Sequence, residues 1–150
     1  MNTLRVFVAG IPQPNPKLET TSGTTKAGKR YTRVFQRDKD GKKRAWMNLV
    51  ANAIYCQMFR GKMEPLTRDY WVRMNLTFIL PRPASAKKRL YPNVKPDRDN
   101  LAYAVENALK GVLYEDDAMV VESRQVKRYA CPINKATGVL IDVEWGVNHE

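Results

Sequence analysis

The chain has 150 residues, and 26 Lys and Arg against 15 Asp and Glu give it a formal net charge of +11. Its 43% hydrophobic content, with three Trp, seven Tyr and four Phe, supplies one real core and argues against disorder of the whole chain. The charge points to a polyanionic partner, with a merely basic soluble factor as the plain alternative; no long basic amphipathic helix suits a membrane surface, and no apolar run approaches the about 18 residues of a span.

Leu4 to Ala9 reads as a first strand ended by Gly10. From Ile11 to Arg30 the chain is broken by Pro14, Pro16, Gly23 and Gly28 and shows no apolar period. Lys26 to Arg44 then carries nine basic and two acidic residues, with Tyr31 and Phe35 among them. Together these make residues 12–44 a flexible basic loop, in which interleaved aromatics fit a nucleic-acid arm and a solvated surface is the alternative.

A helix follows from Lys42, because Trp46, Leu49, Val50, Ala53, Ile54 and Met58 repeat at helical spacing before Gly61. Tyr70 to Leu80 alternates strictly and makes a long strand stopped by Pro81 and Pro83. A second helix spans Leu101 to Lys110, with Asp99 or Asn100 as N-cap and Gly111 as its stop. Strands at Met119 to Arg128 and Gly138 to Trp145 complete the chain. The expected fold is α/β in the α+β sense: one domain over residues 1–150, a mixed β-sheet packed with two main helices.

Cys56, Cys131 and the single His149 are too few for a zinc cluster, a disulfide framework or histidine chemistry. Carboxylates, lysines or a bound metal must carry any reaction. The informative stretch is Lys95-Pro96-Asp97-Arg98-Asp99-Asn100-Leu101, followed by Glu115-Asp116-Asp117. If the chain is extended after Pro96, Asp97 and Asp99 project to one side. A ten-residue helix advances about 15 Å, and the six residues Val112 to Asp117 span up to about 20 Å when extended, so Asp117 can return to the helix start. Three such carboxylates suit Mg²⁺, with Mn²⁺ as substitute. The matching chemistry is phosphodiester hydrolysis: metal would polarise the phosphoryl oxygen, help form hydroxide and stabilise the departing 3′-oxygen. The same residues also fit helix capping, and spacing alone leaves both readings open.

Lys-Pro-Asp-x-Asp-Asn-Leu, then Asn-Ala-Leu-x-Gly and Tyr-Glu-Asp-Asp-Ala, closely resembles the signature of the RusA family of Holliday junction resolvases, common in bacteria and their phages. The resemblance covers roughly Lys95 to Lys127, with weaker support from Gly10-Ile11-Pro12-Gln13-Pro14. It implies that Asp97, Asp99 and Asp117 are the catalytic, metal-binding residues and that Asp116 supports them. It further implies a homodimer that nicks opposing strands of branched, four-way junction DNA in a Mg²⁺-dependent reaction of recombination and repair. Family members usually carry Lys where this chain has Tyr103, and Asp where it has Asn107; Tyr103 therefore stands at a supporting position whose usual cation is missing. Lys87, Lys88, Arg89, Lys95, Arg98 and Lys127 are the expected DNA-binding cations, with Arg82 beside them. The expected location is the cytoplasm, without a signal peptide. The second reading is a noncatalytic or weakly catalytic junction-binding protein on the same fold.

Overall fold

In the computed structural model, which describes residues 2–149, eight elements follow one another: β1 (Asn2–Ala9), β2 (Lys17–Thr24), β3 (Arg30–Arg37), α1 (Lys42–Arg60), β4 (Tyr70–Leu80), α2 (Arg98–Leu109), β5 (Val120–Tyr129) and β6 (Gly138–Val147). Four strands form a mixed sheet in the order β1-β6-β4-β5. β6 runs antiparallel to β1 and β4, whereas β5 is parallel to β4. A parallel neighbour needs a crossover, and α2 supplies it, which places this helix against β5 and the core. The architecture is the expected single-domain α+β fold.

The strict alternation of β4 sends Val72, Met74, Leu76, Phe78 and Leu80 to one face, all of them buried. Opposite them on β6 lie Val143, Ile141 and Val139, which in turn oppose Leu4, Val6 and Val8 of β1. Trp46, Val50, Ile54 and Met58 of α1 and Leu101, Val105 and Leu109 of α2 close the core from the same side. Each fully buried Leu, Ile or Phe here contributes about 1.5–3 kcal/mol. Leu49, expected in the α1 stripe, is instead half exposed; it lies off the line of the four buried residues, with its Cδ1 near Gly10. The start of α1 is satisfied from outside the helix, where the carboxylate of Asp38 accepts from the backbone N–H groups of Lys43 and Arg44 at 3.2 and 3.1 Å.

Residues 12–44 do not form an irregular loop throughout. β2 and β3 pair over eight residues each as an antiparallel hairpin, from Lys17 opposite Arg37 to Thr24 opposite Arg30. Every residue of β3 is exposed. Hydrophobic alternation marks a strand only when one face packs on a core, and this hairpin packs neither face, so the signal was absent from the sequence. Among the described residues, no helix is long and apolar enough to cross a membrane.

Candidate active site on the flank of helix α2

The side of the β5 strand that faces the core is not apolar. Ser123, Gln125, Lys127 and Tyr129 stand beside Met74, Leu76, Phe78 and Leu80 of β4 and so share their face. These polar side chains grip the segment that leads into α2. The Lys127 Nζ donates to the backbone carbonyls of Val94 and Pro96, both at 2.9 Å, and Arg98 Nη1 donates to Gln125 Oε1 at 3.0 Å.

The helix begins three residues earlier than sequence spacing indicates, at Arg98 and not Leu101. Asp97, not Asp99 or Asn100, holds the N-cap position with extended backbone (φ −71°, ψ 144°), and Arg98 already belongs to α2. Asp97 and Asp99 are therefore not alternate residues of one extended run; the turn into the helix intervenes. The Asp97 side chain caps no helix N–H. It accepts from Lys95 Nζ at 2.9 Å instead. That hydrogen bond above all holds the Asp97 carboxyl below the ordinary carboxylate range, with the charges of Lys95, Lys127 and Lys17 adding to it. Lys95 is correspondingly raised, first by its bond to Asp97, and it feels the charge of Asp99 as well. Asp99 sits exposed in the first turn, its Oδ1 accepting from the Asn100 N–H at 2.9 Å.

At the other end of α2 the chain reverses through Gly111, whose φ of +80° suits glycine. The turn closes when Gly111 N–H donates to the Tyr114 carbonyl at 2.7 Å. Tyr114 is fully buried, and its hydroxyl donates to the Glu106 carbonyl at 2.7 Å; burial raises its phenol far above the ordinary range. Asp116 caps the next turn through Ala118 N–H at 3.1 Å and receives Arg68 Nη2 at 3.0 Å. Asp117 is left with its Oδ1 3.9 Å from Lys110 Nζ.

Asp117 thus lies beside the second half of α2 and does not return to its head. Val112 and Leu113 are spent in turn hydrogen bonds to the Leu109 carbonyl, Tyr114 accepts from Gly111 N–H, and the chain is pinned by Leu66, which pairs with Leu113 and Glu115; the extended reach assumed from sequence is not available. The carboxylates consequently run along one flank of the helix. Asp99, Tyr103 and Glu106 follow the i, i+4, i+7 spacing of a single face, with Asp97 at one end and, past the helix, the C-cap residue Lys110 and Asp117 near the other. Among the described residues, no three His, Cys, Asp or Glu side chains are close enough together to hold a metal ion. The donor chemistry nevertheless fits a hard divalent cation, since every member is a carboxylate and no thiol or imidazole competes. Lys95 and Lys110 now supply the compensating charge.

Glu106 is the member that sequence reading missed. Half-buried, it has its carboxyl raised chiefly by burial and also by the charge of Asp117, while a hydrogen bond from Ser123 lowers it. The signal was its i+7 spacing from Asp99, hidden because the same helix was being read for its apolar stripe.

The expected DNA-binding cations divide. Lys87 and Lys88 are exposed on a turn, and Lys95 and Arg98 flank the carboxylates. Arg89 is half-buried, with Nη1 3.2 Å from the Tyr129 hydroxyl, and Arg82 lies over the Tyr129 ring at 4.3 Å while donating to the Ala86 and Arg89 carbonyls. Lys127 is bonded through its ammonium to the Val94–Pro96 segment and lines an open pocket with Asp97 and Asp99. Tyr103 is about half exposed. Asn107, where an i, i+4 ion pair with residue 103 would otherwise be expected, donates from Nδ2 to Asn15 Oδ1 at 3.1 Å, and Asn15 N–H donates to the Asn100 carbonyl at 3.1 Å. The N-terminal turn is thereby strapped along α2. A groove of about 620 Å³ opens between this turn, the end of β4 and the segment leading into α2, with Ile11, Pro12 and Tyr129 among its walls and Lys17, Lys95 and Asp97 at its charged side.

A family model described as endodeoxyribonuclease RusA matches residues 9–143 of the 150-residue chain, which includes both helices, the whole α2 flank and the strapping turn. No curated protein matches the chain.

Proposed function

The chain belongs to the RusA family of endodeoxyribonucleases, and from that membership we propose that it resolves four-way DNA junctions by metal-dependent hydrolysis of phosphodiesters on the flank of α2. The observation that carries the reading is how the aspartates are employed. Were they helix caps, Asp97 would bond the first-turn N–H groups; its carboxylate turns instead to Lys95, and Asp116, not Asp117, does the capping in the following turn. Asp97 and Asp117 are unspent as caps and sit within a chain of net charge +11.

As the family resemblance implies, Asp97, Asp99 and Asp117 would hold Mg²⁺, or Mn²⁺ in its place, which requires both that Lys95 release Asp97 and that the two ends of the flank close on the ion, because the three carboxylates are not gathered in this structure. The bound ion would polarise the phosphoryl group and lower the pKa of water. The chain's own part is placement: Lys127 fixes the backbone on which Asp97 stands, and Asp116, held by Arg68 and its own cap, fixes Asp117. Lys95 and Lys110 are near enough to offset charge developing on the phosphoryl oxygens. Exposed Lys87, Lys88 and Arg98 would steer the polyanion, so affinity should fall steeply with salt. Action as a homodimer follows from the need to nick two opposing strands.

Cleavage of a labelled four-way junction beside linear duplex, in Mg²⁺, Mn²⁺ and Ca²⁺ with an Asp97→Asn control, tests the reading. Paired nicks requiring Mg²⁺ or Mn²⁺ and lost in the variant are expected, with junction binding retained. Tight junction binding without cleavage in any metal would instead favour the binding-protein reading and direct attention to Tyr103, which stands where the family usually carries a cation.

A further inference from the structure

The two faces of the β2-β3 hairpin differ in a way that a solvated surface does not require. Residues directly opposite in an antiparallel pair share a face, and alternate residues along each strand share it too. One face therefore carries Lys17 with Arg37, then Glu19 with Phe35, then Arg33, then Tyr31; Glu19 is the one carboxylate of the hairpin strands and accepts from Arg37 Nη1 at 3.0 Å, which leaves Lys17 and Arg33 to carry the net charge of this face. The other carries Leu18, Thr20, Ser22, Thr32, Val34 and Gln36, and its only charge is Arg30 at the turn end. Both aromatic rings and three of the four cations of the hairpin strands are thus on one side.

The rings on that side are presented rather than packed. Phe35 is 44% and Tyr31 42% exposed. Tyr31 lies flat across the hairpin, so close over Gly23 that a Cβ there would meet its hydroxyl at 2.6 Å, and the Arg33 guanidinium lies 5.4 Å from its ring centroid. The base of the stripe opens on the nuclease flank, since Lys17 shares the groove that holds Lys95 and Asp97 and its charge acts on Asp97. Cations alternating with open aromatic faces are the surface that an unpaired nucleic-acid strand uses, its phosphates meeting the charges and its bases stacking on the rings.

We propose that this face of the hairpin is a track for an unpaired DNA strand passing from the junction's crossover toward the carboxylate site. The inference rests on the nuclease reading for its location but not for its measurement. Charge selects DNA as occupant; a second copy of the chain would meet like charge along the same stripe.

Binding is measured by fluorescence anisotropy in EDTA, with a labelled oligothymidylate and a duplex of equal length. Wild-type protein is expected to favour the single strand, and Tyr31→Ala with Phe35→Ala to weaken it by about tenfold per ring lost. A Tyr31→Leu, Phe35→Leu pair keeps apolar bulk on the strands without a π face and is expected to behave alike, which separates stacking from loss of the hairpin. Leu18→Ala with Val34→Ala, on the opposite face, should leave binding unchanged. The track is overturned if the Leu pair binds the single strand within about twofold of wild type, if single strand and duplex weaken equally, or if sedimentation shows that the aromatic pair instead dissolves a dimer. Asp97-dependent junction cleavage persisting through any of those results would leave the nuclease reading standing, whereas single-strand binding by a chain that never cleaves would leave the track standing alone.

Discussion

Replacing Lys127 by Met separates an anchoring lysine from a DNA-contacting one. Met retains a long apolar side chain along the β5 strand and removes only the ammonium, which now donates at 2.9 Å to the carbonyls of both Val94 and Pro96. Hydrogen bonds from a charged donor contribute about 1.5–3 kcal/mol each. Lys127 is only half-buried, so solvent can replace part of each bond, and about 2–3 kcal/mol for the two together is the appropriate figure. That loss falls on the segment carrying Asp97 and leaves the core intact. At about 1.4 kcal/mol per factor of ten, the population with Asp97 in place drops by as much as about 30- to 150-fold.

Single-turnover cleavage of a preassembled junction in Mg²⁺ should fall accordingly, while junction affinity in Ca²⁺ and its dependence on salt stay near wild type. A phosphate-contacting lysine would do the reverse: affinity would drop for every DNA, the log–log salt slope would shrink by about one, and bound junctions would still be cut. That second pattern would refute the anchoring role.

Tyr114→Phe removes the donor to the Glu106 carbonyl inside the fold and should cost about 1–3 kcal/mol, seen as a Tm lowered by about 3–8 °C with junction binding intact; an unchanged Tm would mean that the carbonyl finds another donor. Because the Glu106 carboxyl is raised in the native state, the unfolded chain loses that proton first as pH rises. Native stability should then decline from the ordinary glutamate value of 4.5 up to the raised native one, and a Glu106→Gln variant should lose that decline in urea titrations across the interval. Tyr103→Lys restores a cation on the exposed flank between Asp99 and Glu106 and should increase the single-turnover cleavage rate; no gain from a correctly folded variant would show that Lys95 or Lys110 already fills the role.

What sequence could reveal here depended on burial. β4 was plain because its alternate residues enter the core, and α1 and α2 because their apolar residues repeat on a buried face. The hairpin was invisible for the opposite reason: strand pairing is made by the backbone, and side chains record it only where one face is hidden. The site divided along similar lines. Asp97, Asp99 and Asp117 stood out as carboxylates in a basic chain, yet their spacing could not say that the helix begins at Arg98 or that the Gly111–Tyr114 turn consumes the reach of Asp117. Lys127 was recognised as a cation near the site, but its direction toward the Val94–Pro96 segment follows from the parallel register of β5 against β4, which no local pattern contains.

That register also shows where stability gives way to the site. On β1, β4 and β6 the inward positions are apolar, whereas on β5 they turn polar from Ser123 onward, beside α2. A strand chosen only for packing would continue the apolar face, because half-buried polar groups return little net stability even when bonded. Departures from pattern consistency of this kind gather at functional positions. Ser123→Val with Gln125→Leu should then be tolerated by the fold, holding or raising the urea midpoint. Junction cleavage should fall, since Glu106 loses its Ser123 partner and Arg98 its Gln125 partner at the entry to α2. A variant that unfolds would instead make these residues part of the structural core, and one that cleaves normally would remove them from the support of the active flank.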